Sequence, residues 1–94
     1  MTNTIEEKID EIARLEKVLT RVYESSQNFV RDLQGILVNA TSVADQVFTF
    51  ETDEVPSSAV KAVRGFFGQA IEFSQERAPD VVAEIEEVAA SFDI

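Results

Sequence analysis

The sequence predicts an all-α fold: a long N-terminal helix over about 4–50, a return helix over about 57–78 and a short C-terminal helix over about 79–92. These would form a helical bundle or a coiled-coil-like oligomer. Three observations lead there. Apolar residues keep one seven-residue register from Ile5 to Phe50, a second apolar face of helical period follows residue 57, and strong breakers cluster only at residues 51–58 and at Ala78-Pro79-Asp80. With no linker-like stretch elsewhere, residues 1–94 read as a single helical domain.

With Ile5 at position a, the a series runs Ile5, Ile12, Leu19, Ser26, Leu33, Ala40, Val47 and the d series Lys8, Leu15, Val22, Phe29, Ile36, Val43, Phe50. All but Lys8, Ser26 and Ala40 are large and apolar, so a buried face is strongly specified. Position e adds Ile9, Tyr23, Val30, Leu37 and Ala44, which makes the stripe wider than the seam of a two-stranded coiled coil. A face of that width wants more than one neighbouring helix and points to a bundle.

The first helix opens with Thr4 and, three residues on, Glu7, the spacing of a capping box. Glu6, Glu7, Asp10 and Glu11 follow in the first two turns, where the positive end of the helix dipole favours carboxylates. Ser25-Ser26-Gln27-Asn28 is polar and places Ser26 on the core face. It either sets register, as a buried polar group does in coiled coils, or bonds back to its own helix. Gly35 and Asn39-Ala40-Thr41-Ser42 are the weak points of helix propensity. The register passes through them unchanged from Ile36 to Val43 to Phe50, which predicts a continuous helix, bent if anywhere near Asn39.

The acidic, proline-containing loop at 51–58 turns the chain, and the return helix starts at Ser57 or Ser58. Val60, Val63, Phe66, Phe67, Ala70, Ile71 and Phe73 share one face of it. Gly65 and Gly68 lie on its polar side, where they mark either a close backbone approach or a loosened turn. Pro79 disfavours helical geometry at Ala78 yet suits the first turn of a new helix, so the C-terminal helix begins there and presents Val81, Val82, Ile85, Val88, Ala89 and Phe92.

Composition narrows the function. The 94 residues include no cysteine and no histidine, which removes thiolate nucleophiles, disulfides, the commonest transition-metal ligand and the usual general base at neutral pH. The carboxylate pairs Glu72/Glu76 and Asp80/Glu84 share helix faces, but neither a Glu-x-x-His motif nor EF-hand spacing accompanies them. No catalytic residue, cofactor or metal ligand is therefore expected. A net charge of −10 disfavours direct nucleic-acid binding. The C-terminal 23 residues hold seven carboxylates against Arg77 alone, either a solvated face of the kind a salt-rich cytoplasm selects or a docking surface for a basic protein. No signal-peptide pattern and no apolar run of membrane-spanning length occurs, so a cytoplasmic location, or one within an intracellularly assembled particle, is expected.

A continuous first helix would run to roughly 70 Å, and the later helices, at roughly 55 Å end to end, would cover one side of its stripe. The remaining apolar surface would need a partner. The expected function is non-enzymatic: a structural or scaffolding protein, a component of a larger cellular or viral assembly, that joins itself or another helical protein through apolar helix faces. The residues expected to carry this are Leu15, Leu19, Val22, Phe29, Leu33 and Ile36 on the first helix and Phe66, Phe67 and Phe73 on the second. The alternative is an acidic regulator that masks the basic surface of a nucleic-acid-binding or antitoxin-type protein.

Overall fold

The computed structural model describes residues 4–48 and 57–92, and the side chains from Glu6 onward within them. Among these residues the chain is all-helical: α1 (Thr4–Ser25), α2 (Phe29–Phe48), α3 (Ser57–Arg77), a 3₁₀ turn (Pro79–Val81) and α4 (Val82–Ala90). The Thr4 capping box falls on a side chain outside the described set, as do residues 51–56 of the expected loop. Ser57 and Ser58 already belong to α3.

The single long helix over 4–50 is not what forms. It breaks at Ser26-Gln27-Asn28, not near Asn39, and α1 and α2 fold back on each other as an antiparallel hairpin. Local chemistry accounts for the site of the break. Ser25 turns its hydroxyl back to the Arg21 carbonyl (2.7 Å), and the last α-helical amide of α1, Ser26 N–H, reaches Val22 (2.9 Å). Asn28 then offers its carbonyl to the Asp32 amide (3.1 Å), the first bond of α2. The Ser26 hydroxyl donates across the turn to the Asp32 carboxylate and not back to its own helix.

Magnitudes explain why the weaker-looking stretch stays helical. Gly35 costs roughly 1 kcal/mol and Asn39, Thr41 and Ser42 a few tenths each. Against that, Ile36, Leu37, Val43 and Val47 are all buried, and burial is worth about 1.5–3 kcal/mol for each such side chain. At residues 26–28 no large apolar side chain would be buried by continuing the helix, and the turn wins.

α3 lies alongside α1 and parallel to it: Gln69 donates to the Thr20 hydroxyl (2.8 Å), and one turn on Phe73 stacks on Tyr23. At its end the Ala78 amide still bonds Ser74 (2.7 Å), but Ala78 itself is extended (φ −150°, ψ 67°), the geometry expected before proline. Pro79 starts a 3₁₀ turn in place of the first turn of an α-helix, and α4 proper ends at Ala90, two residues short of the expected 92. α4 returns antiparallel to α3, bringing Phe92 beside Phe67 and Phe48 (5.9 and 5.5 Å between ring centres).

The core sits between α1, α2 and α3 and is closed at one side by Val81 and Ile85. Its largest fully buried side chains are Phe66, Phe67, Ile12, Leu19 and Leu33. The radius of gyration is 13.2 Å, close to the ~12–13 Å of a compact domain of this length, and the longest extent is 41 Å, far short of a 70 Å rod. The stripe is thus buried against its own second half.

Candidate functional site

Of the residues expected to face a partner, Leu15, Leu19, Phe29, Leu33, Ile36, Phe66 and Phe67 are buried inside one chain. Val22 and Phe73 are half-buried and packed on the same core. The structure brings these residues together as a core and leaves none as an outward face. The need for a partner to cover the stripe, inferred from an unbroken helix, therefore lapses. An interaction surface has to be sought among the apolar side chains that remain outside.

Among the described residues, the exposed large apolar side chains are Val18, Val30 and Val38, at 36%, 42% and 70% exposure. Val38 stands two residues from the buried Ala40, on the far side of α2. Beside it runs a groove of about 630 Å³ between α2 and α4, lined by Gln34, Leu37, Thr41 and Asp45 on one wall and by Glu84 and Val88 on the other. Helix lengths create it. α4 has nine residues against twenty in α2, and its buried Ile85 and the adjoining Val81 draw it onto α3. α2 and α4 run parallel, are only loosely packed and meet chiefly where Phe48 lies against Phe92.

Charge follows the same geography. No lysine or arginine occurs from residue 32 to 60 or from 78 to the end, so both walls of the groove come from cation-free stretches. Asp80, Glu86 and Glu87 are also exposed on the 3₁₀ turn and α4. The cations stand elsewhere: Arg14, Lys17 and Arg21 are exposed on α1, along one flank of Val18, and Lys61 and Arg64 on α3.

A second constellation closes the α1–α2 turn. Arg77, at the end of α3, donates to the Tyr23 carbonyl (2.5 Å) and the Ser26 carbonyl (3.1 Å), capping the negative end of α1 with a cation. Its guanidinium lies 5.1 Å from the Phe29 ring centre and 6.0 Å from that of Tyr23. Tyr23 stacks on Phe73 at 4.0 Å, meets Phe29 edge-on and donates its hydroxyl to Glu76. These contacts tie three helices at one end and are structural.

Among the described residues, no group of three or more carboxylates is placed to hold a metal ion, and no helix is long and apolar enough to cross a membrane. A Cβ built at Gly35, Gly65 or Gly68 meets nothing within 4 Å, so among the described residues no other backbone approaches the glycine face of α3. The residues that the heptad pattern missed are Val38 and Val18. They sit off the stripe, and a large apolar residue off a well-filled stripe is one that the fold has no place to bury. Compared with protein-family models, curated proteins and solved structures, the chain matches none of them.

Proposed function

We propose that this chain is a non-enzymatic structural or scaffolding module of a larger cellular or viral assembly, and that it joins itself or another helical protein through the α2–α4 groove and its Val38 lip. It would act in the cytoplasm or within a particle assembled inside a cell. The observation that carries the proposal is Val38, 70% exposed at the edge of a groove floored by Leu37 and Val88. A lone exposed valine is ordinary. One at the lip of a partly apolar furrow between two parallel helices is the geometry in which an amphipathic helix seats its apolar face.

The test is Val38→Glu, measured for stability and for association. The variant should melt with the wild type and should lose association, whether with itself by light scattering or with a partner captured by the tethered chain. Association that persists unchanged in Val38→Glu would overturn the proposal.

The run of exposed carboxylates at Asp80, Glu84, Glu86 and Glu87 favours a second reading, an acidic regulator that covers a basic surface of another protein. Salt separates the two. Apolar seating survives molar salt, whereas docking driven by these carboxylates weakens steeply as the Debye length falls from about 10 Å at 0.1 M to about 3 Å at 1 M.

A further inference from the structure

We infer that the occupant of the α2–α4 groove is the α1 ridge of a second copy of this chain, so that copies associate head to tail. The inference rests on the groove being a docking site and names what docks.

The exposed apolar side chains of α1 and of the groove carry opposite surroundings. Val18 lies among Arg14, Lys17 and Arg21, at i−4, i−1 and i+3, all exposed on the outer face of α1. Val38 lies beside a groove whose charged lining residues are Asp45 and Glu84. A valine set among cations and a valine set among carboxylates are complementary in both apolar contact and charge. Among the described residues the other exposed valine beside cations is Val30, which lies with Arg31 and Arg77, but Arg31 stands 3.8 Å from Asp32 and Arg77 is spent on the Tyr23 and Ser26 carbonyls.

Spacing agrees. Arg14 and Arg21 are seven residues apart, roughly 10 Å along α1. In the groove, Phe92 and Phe48 lie level, which sets Glu84 and Asp45 roughly 8 Å apart along the parallel helices. Two arginine side chains reach that separation easily. Of the carboxylates on the same side of α1, Glu7, Asp10 and Glu11 precede Arg14, and Glu24 follows Arg21 by one turn. Glu11 is 4.0 Å from Arg14, and like-charge repulsion keeps this acidic half out of the groove, so the C-terminal half of α1 is the part that enters.

Ridge and groove occupy different faces of one chain. Such an interface is heterologous, and repeated application builds an open chain or a ring in place of a closed two-fold dimer. Exposed ion pairs contribute little each, so the association is weak, and its apolar part, Val18 against Val38, survives molar salt.

Sedimentation velocity on three samples tests this in 20 mM salt, over a concentration series reaching millimolar. Wild type should exceed the 10.5 kDa of one chain, increasingly with concentration. Val38→Lys, which spoils only the groove, and Val18→Glu, which spoils only the ridge, should each stay near 10.5 kDa with unchanged melting temperatures. Mixed in equal amounts, they should form a species of about 21 kDa, two chains of 10.5 kDa, and nothing larger, because one intact ridge and one intact groove remain. If Val18→Glu fails to fold, Lys17→Glu combined with Arg21→Glu spoils the same ridge through charge alone. A mixture that stays monomeric, or single variants that associate like wild type, would overturn the inference. A wild type that is monomeric throughout, yet captures another protein in a manner lost in Val38→Glu, would overturn this inference and leave the groove's docking role standing.

Discussion

α2 is held in two different ways at its N-terminus and along its outer flank. At the N-terminus Phe29 is buried, Asp32 takes the Ser26 hydroxyl, and Arg77 reaches in from α3 to cap α1 while lying over the Phe29 ring. Along the flank Val38 is open to solvent, and the neighbouring α4 is too short and too closely drawn to α3 to cover it. The same helix thus has an end tied to α1 and α3 and a side with room for another chain. Stability should be concentrated at the closed end and the inner face, and interaction along the open flank.

The largest effect should come from the inner face. Leu33→Asp places an unpaired carboxylate at a position with 0% exposure, at a cost of several kcal/mol against the roughly 5–10 kcal/mol that stabilises a domain of this size. Circular dichroism should find it unfolded or nearly so at 25 °C, whereas Glu24→Lys, exposed at the end of α1, should melt with wild type.

Next comes the closed end. Arg77→Ala removes two charge-assisted bonds to α1 carbonyls and the contact with Phe29, and should lower stability by about 1–2 kcal/mol in urea titration. Arg77→Lys should recover only part of this, because an ammonium lacks the planar fork that serves both carbonyls and lies on the ring. Arg64→Ala, on the exposed side of α3, should change stability by less than about 0.5 kcal/mol.

Two substitutions should stabilise. Ser74 is fully buried and its hydroxyl has no hydrogen-bond partner among the described residues, so Ser74→Ala should gain about 1 kcal/mol, some 4–8 °C in melting temperature. Gly68→Ala adds a methyl to open space on an exposed helix face and should gain about 0.5–1 kcal/mol. The smallest change in stability belongs to the open flank: Val38→Glu should leave the melting temperature within error while removing association.

Much of this was legible in the sequence, and the residues show where legibility stopped. Heptad positions Ile12, Leu15, Leu19, Phe29, Leu33, Ile36, Ala40, Val43 and Val47 are all buried, because period alone decides which side of a helix is apolar. What that side packs against is a separate matter. A three-residue turn reversed the chain without shifting the register, so an unbroken pattern gave no sign of the reversal, and a stripe that wanted a partner found it in its own second half. Ser26, a polar residue on the core face, is the better signal, since Ser-Gln-Asn offers nothing to bury and the Asn28 carbonyl accepts the first bond of α2. Propensity pointed instead to Gly35 and Asn39, where burial of Ile36, Leu37 and Val43 outweighs it. The groove could not be read from the sequence, because it depends on α4 lying against α3 and on the 3₁₀ turn that Pro79 starts.

The central claim is that the long apolar stripe closes on itself within one chain and leaves the Val38 flank for interaction. A distance measurement tests it most directly. The chain has no cysteine, so Ala13→Cys with Ser42→Cys, both exposed, provides the only two sites for spin labels, and dilution with unlabelled chain confines the readout to one molecule. In an antiparallel hairpin turning at 26–28 these positions lie nearly level, and with helix axes about 8–10 Å apart the labels should be roughly 15–25 Å apart. A continuous helix would place them roughly 43 Å apart, and that result would contradict the account and return Leu15, Leu19 and Leu33 to an outward face.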